Sequence, residues 1–98
     1  MPKVKEKYVI IRARDAGAFA GFLVSNASES VILRYARRLW YWAGAASLSQ
    51  LAQEGTSKPK DCKFPVAVNK QQINGVIEIL DVTSAAQASI EGVPVWRA

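Results

Sequence analysis

The run Arg34-Tyr-Ala-Arg-Arg-Leu-Trp-Tyr-Trp42 carries three guanidiniums, two indoles and two phenols within nine residues. Successive strand side chains point to opposite faces. Read as a strand, the run puts Ile32, Arg34, Ala36, Arg38, Trp40 and Trp42 on one face. The other face takes Leu33, Tyr35, Arg37, Leu39 and Tyr41. Guanidiniums make forked bonds to phosphate, and flat aromatic faces stack on bases at roughly 1–3 kcal/mol each. A nucleotide ligand needs both. The alternative is that Trp40, Trp42 and Tyr35 are core, with Arg34 and Arg38 bonding surface carboxylates or snorkelling. Eight carboxylates for thirteen Lys and Arg leave cations over, which favours the ligand reading for the cluster as a unit. Phe64, after Lys63, offers a further stacking face, although its phase with Val66 and Val68 is that of a core residue. Asn74 could read an adenine edge with its amide, yet Asn-Gly is first of all a turn signal. The candidate ligand-binding set is therefore Arg34, Arg37, Arg38, Trp40, Trp42, Phe64 and Asn74.

Other chemistries are poorly provided for. The chain has no His and one Cys, so a usual His/Cys zinc site, a triad with a His base and an internal disulfide cannot be assembled within it. Cys62 has Lys60 and Lys63 nearby, but no His base supports a thiol enzyme. Glu78 and Asp81 are out of phase on their strand and do not make an acid/base pair. The phosphate-loop, dinucleotide and nucleophile-elbow glycine motifs are absent. The expectation is a binder without catalytic residues, metal or cofactor.

Those residues must be positioned by a single domain spanning residues 1–98, because a second would have no core at this length. Half the chain is hydrophobic and 21% is charged, the balance of a folded protein. Tyr8 to Arg14 reads as a strand, Asp15-Ala-Gly17 as a turn, and Phe19 to Ser25 as a second strand with Gly21 marking a bulge or close approach. Asn26 to Ser30 is a hairpin connection and Val31 to Trp42 one bent strand or two. Ser47-Leu-Ser-Gln50 is a capping box opening a two-turn helix that stops at Gly55. Lys63 to Asn69 and Ile73 to Val82 read as strands, with Gly75 bending the latter. Thr83 or Ser84 caps a last helix ending at Gly92, Gln87 completing a box from Ser84. The fold class is α+β: a small antiparallel sheet or barrel-like domain of about five strands and two short helices.

Residues 1–63 hold eleven Lys/Arg against five Asp/Glu, whereas residues 64–98 hold two against three. Such a one-sided field attracts phosphate esters, nucleic acid or acidic proteins. Lys3, Lys5 and Lys7 fit a frayed basic N-terminus over residues 1–7. No secretory or membrane-spanning segment is legible, so a cytosolic protein is expected. The aromatic surface exceeds what one small core readily hides, which points to a homo-oligomer.

Two resemblances bear on function. Gly21-x-Leu23, Val31-x-Leu33-x-x-Ala36 and Ile73 to Ile79 loosely resemble the strand rhythm of Sm-like small barrels, implying a small basic nucleic-acid-binding ring. A longer pattern spans nearly the whole chain: GAFAGFLVS (17–25), VILRYARRLWYWAGAASLSQL (31–51), CKF (62–64), VIEIL (76–80) and SIEGVPVW (89–96). It resembles the first of the phage Thoeris anti-defence families. That resemblance implies a non-catalytic sponge, acting in the host cytoplasm, that sequesters cyclic ADP-ribose isomers made by TIR enzymes and also CBASS cyclic oligonucleotides. It further implies a homo-oligomer, a hexamer, with ligand pockets between protomers.

Overall fold

Tyr8-Val-Ile-Ile and Phe19-Ala-Gly-Phe, rich in β-branched and aromatic residues, lie at the centre of a single antiparallel sheet. A computed structural model describes residues 6–97. The strands are β1 (Lys7–Ala13), β2 (Gly17–Ala27), β3 (Ser30–Arg38), β4 (Val68–Asn74) and β5 (Val76–Asp81), in the order β4-β3-β2-β1-β5. The edges of the sheet, β4 and β5, are consecutive in the chain and joined by Gly75 alone. Gly75 has φ +75°, a conformation glycine adopts without steric cost. Its carbonyl accepts from Arg14 N at 2.8 Å, and Val76 N donates to Glu29 O at 2.9 Å. The sheet thus curls until both edges meet at one corner, but it does not close into a barrel.

The helices cover one face. In α1 (Leu48–Glu54), the Ser47 hydroxyl accepts from Gln50 N at 3.1 Å, while the Gln50 side chain accepts from Ala46 N rather than Ser47. In α2 (Ser84–Glu91), Thr83 is the cap and accepts from Ala86 N at 3.1 Å. The Ser84–Gln87 box expected from sequence is not the one used. Leu51, Ala52, Ala86 and Ile90 are buried. Leu51 and Ile90 pack with Tyr8, Ile10, Ala20, Phe64 and Val93 into one cluster. A second cluster, Val9, Ile11, Phe19, Val31, Leu33 and Ile73, fills the inside of the curl. Burying both faces of β1 explains why Tyr8 to Ile11 is an unbroken apolar run.

This is the α+β architecture expected, with three local differences. Lys63 to Asn69 is not one strand: Lys63 bridges Tyr41, Phe64 bridges Val95, and β4 starts only at Val68. Pro65 has no N–H to continue a ladder there. Ile73 to Val82 is divided at Gly75, so Asn74-Gly75 acts as a corner between strands. Lys7 opens β1 and reaches Asp81 at 3.2 Å, so it is not frayed; residues 1–5 lie outside the described residues.

The largest difference concerns β3. Phe22 pairs with Arg34 and Ala20 with Arg37, so Tyr35 and Ala36 together oppose Gly21. This is a bulge, and Tyr35 enters it with φ +53°, outlying for a bulky residue. Gly21 accommodates it, since a Cβ there would lie 3.1 Å from Ala36 Cα and Arg34 O. One extra residue shifts the alternation. Leu33 and Ala36 both join the inner cluster, and Arg34 and Arg38 fall on different faces.

Candidate functional site

The bulge parts Arg34 from Arg38, and the seven candidate residues do not form one wall. Arg34 stacks over Phe22 with its guanidinium carbon 4.9 Å from the ring centroid, and its Nε donates to Glu6 at 2.7 Å. Its charge is already paired at the surface.

Arg37 is a structural residue, correcting its place in the candidate set. It is 7% exposed. Its Nη2 donates to Val93 O at 2.6 Å and Phe64 O at 3.2 Å, Nη1 to Ile90 O at 2.9 Å, and Nε to Pro65 O at 3.2 Å. It fastens the end of α2 and the segment after Phe64 to the sheet. Burial lowers its pKa, opposed by the nearby Tyr8 and Cys62. The same environment pushes the Tyr8 phenol well above its ordinary value of 10.0, through burial first and the Glu91 carboxylate second.

Phe64 is fully buried beneath Arg37 and offers no stacking face, a second correction. Alternation with Val66 and Val68 does not account for this, because both valines are exposed; the bridge to Val95 turns the ring inward. Asn74 is a third. Its side-chain oxygen accepts from the Ser30 hydroxyl at 2.9 Å, and it does not line the cleft described next. Cys62 is buried too, its thiol facing the backbone of Ala43 and Lys58.

Arg38, Trp40 and Trp42 do come together. They line an open cleft of about 480 Å³ with Arg12, Asp15 and Leu48, at the end of the sheet beside the turn that joins β1 to β2. The cleft arises where β3 ends. Leu39 plunges into the helix-side core, and the chain beyond it carries the indoles back over the turn. Trp40 is 63% exposed, whereas Trp42 is half-buried against the core below α1. Arg38 lies 4.5 Å from the Phe19 ring centroid and donates through Nη1 to Ala16 O at 2.8 Å. No described carboxylate lies within ion-pair distance of it, whereas Arg12 is paired with Glu78 at 3.1 Å. The cleft thus presents a guanidinium without a carboxylate partner together with one exposed and one half-buried indole. Arg12 and Asp15 were not in the candidate set. Their only sequence signal was the phase of Arg12 with Tyr8 and Ile10, and the expected Asp15 turn.

Among the described residues, no group of His, Cys, Asp or Glu is arranged to hold a metal ion, and no helix is long and apolar enough to cross a membrane. Residues 6–90 match a family described as a domain of unknown function, DUF6948, and the chain belongs to that family. No curated protein and no solved structure matches it.

Proposed function

We propose that this DUF6948 protein binds a small cyclic nucleotide in the Arg38–Trp40–Trp42 cleft and holds it without cutting it, as a phage anti-defence sponge in the host cytoplasm. The observation that carries the reading is the unpaired Arg38 guanidinium beside two indoles, one of them mostly exposed, around a cleft of 480 Å³. Ligand sites typically measure about 300–1,000 Å³. A guanidinium supplies the fork for a phosphate and an indole the plane for a base. The resemblance to the Thoeris anti-defence family names the ligand class: cyclic ADP-ribose isomers, and CBASS cyclic oligonucleotides.

The cleft is open on one side, and a neighbouring copy would close it. Exposed apolar residues at the sheet edges, Val68 on β4 and Ile77 and Ile79 on β5, suit such contact. The assembly proposed is a homo-oligomer, a hexamer by the resemblance. A sponge facing micromolar signal needs a nanomolar Kd, about −12 kcal/mol. A site walled by two chains can supply that where one open cleft does not.

Native mass spectrometry of the protein with a panel of cyclic nucleotides and cyclic ADP-ribose isomers reads ligand, stoichiometry and assembly together. Heating the loaded protein should release the ligand chemically intact. Arg38→Ala and Trp40→Ala, both at exposed positions, should abolish binding while the oligomer persists. Recovery of a hydrolysed product, or unchanged affinity in Arg38→Ala, rejects the proposal.

A further inference from the structure

A second basic and aromatic surface lies outside the cleft. Tyr41 and Lys63 exchange both backbone hydrogen bonds, Lys63 N to Tyr41 O at 2.7 Å and Tyr41 N to Lys63 O at 3.3 Å. Directly opposed antiparallel residues project from the same face. Trp96 N donates to Phe64 O at 3.0 Å, which brings the last turn of chain alongside, and Lys63 Nζ lies 5.5 Å from the Trp96 ring centroid. Phe64 points into the core, so its neighbour Lys63 points out. Tyr41 is 52% and Trp96 46% exposed, two aromatic faces on either side of one ammonium group.

The charge around them is one-sided. Lys58 and Lys60 lie in and before the 3-10 turn Pro59–Asp61, which leads into Lys63, and Arg97 follows Trp96. All four cations are exposed. The described ion pairs engage Lys7, Arg12, Arg14 and Arg34 and none of these four. The segment from Lys58 to Lys63 contains one carboxylate, Asp61. Four of the cations outside those ion pairs thus lie in or beside this one surface.

We infer that the Tyr41–Lys63–Trp96 surface binds single-stranded nucleic acid, two bases stacking on the rings while Lys58, Lys60, Lys63 and Arg97 meet the phosphates. Stacking on exposed rings is sequence-tolerant because every base has a π-face, and the paired strands of a duplex hide those faces. The site is independent of the cleft, from which all six of these residues are absent.

The test is fluorescence anisotropy of a labelled oligothymidylate of about 12 nucleotides, within the usual span of a stacking site, titrated with the full chain. Four phosphate contacts give a slope of about −3 in log affinity against log salt on a single strand, or roughly a fifty-fold loss between 50 and 200 mM salt. Tyr41→Leu and Trp96→Leu should each weaken binding by roughly 5- to 160-fold, the range for one lost stack. Lys60→Glu, in an exposed turn where folding is not at stake, should weaken binding and flatten the slope. The inference is overturned if the oligonucleotide does not bind at low salt, if a duplex of the same length binds equally well, or if both leucine variants bind like the parent. It is likewise overturned if a cyclic nucleotide seated in the cleft displaces the strand.

Discussion

Replacing Arg37 by Met separates the structural role of this residue from the ligand role that its place beside Arg38 suggests. The guanidinium donates to the carbonyls of Phe64, Pro65, Ile90 and Val93 from a buried position. Each such bond to a charged group contributes roughly 1.5–3 kcal/mol, so the gross loss is large. Methionine removes the cost of burying the cation and fills much of the volume, which returns part of it. The expected net destabilisation is about 3–5 kcal/mol, because the four carbonyls lose their donor at roughly 1–3 kcal/mol for each one left unsatisfied. A chain of this size is stable by roughly 5–15 kcal/mol, so the variant keeps its fold with a thin margin. In urea the midpoint should fall by roughly 2 M at an unchanged slope. Arg37→Lys, with charge but no fork, should lie in between. Cyclic-nucleotide affinity of the folded Met variant should match the parent, because Arg37 does not line the cleft. A variant that unfolds within about 1 kcal/mol of the parent, or stays folded and loses the ligand, would refute the reasoning.

Three further outcomes follow from the geometry. The Tyr8 phenol is held protonated in the fold and ionises near 10 in the unfolded chain, so the fold holds the extra proton above that pH and stability should fall as pH rises; the loss should reach about 1.4 kcal/mol by pH 11, and Tyr8→Phe should flatten the profile of urea midpoints from pH 9 upward. Gly21→Ala should cost about 1–3 kcal/mol in a urea melt, because the added methyl meets backbone atoms of the bulge at 3.1 Å, which cannot rotate away. Thr83→Ala should lower stability by about 1 kcal/mol through the lost cap, whereas Ser84→Ala should be nearly silent in the same melt.

Much of the fold was legible because its signals are local. Apolar runs gave β1 and β2, Ser47 and Gly55 bounded α1, and Gly92 ended α2. The close approach at Gly21 was also visible as a glycine inside a strand. Its partner was not, since nothing in Arg34-Tyr-Ala-Arg marks which residue is extra; the bulge is settled by the register of β2 against β3. That one residue accounts for the parting of Arg34 from Arg38, whereas Arg38, Trp40 and Trp42 remain together beyond it. Phe64 and Asn74 were misread for a different reason. Their surroundings come from Val95 and Ser30, far away in sequence, and no spacing rule reaches that far.

The extra residue in β3 also bears on how relatives should be compared. Across Tyr35, positions that share a side of the strand lie three apart instead of two. A relative of equal length whose strand pairs without the bulge would carry its Arg37 and Arg38 equivalents on the opposite sides, with every letter of Arg-Arg-Leu-Trp-Tyr-Trp retained, whereas one lacking the extra residue would keep them where they are. The first of these would look identical through this stretch and yet display the opposite set of side chains, so a glycine at the place of Gly21, which makes room for the bulge, is a better guide to shared chemistry than the letters themselves.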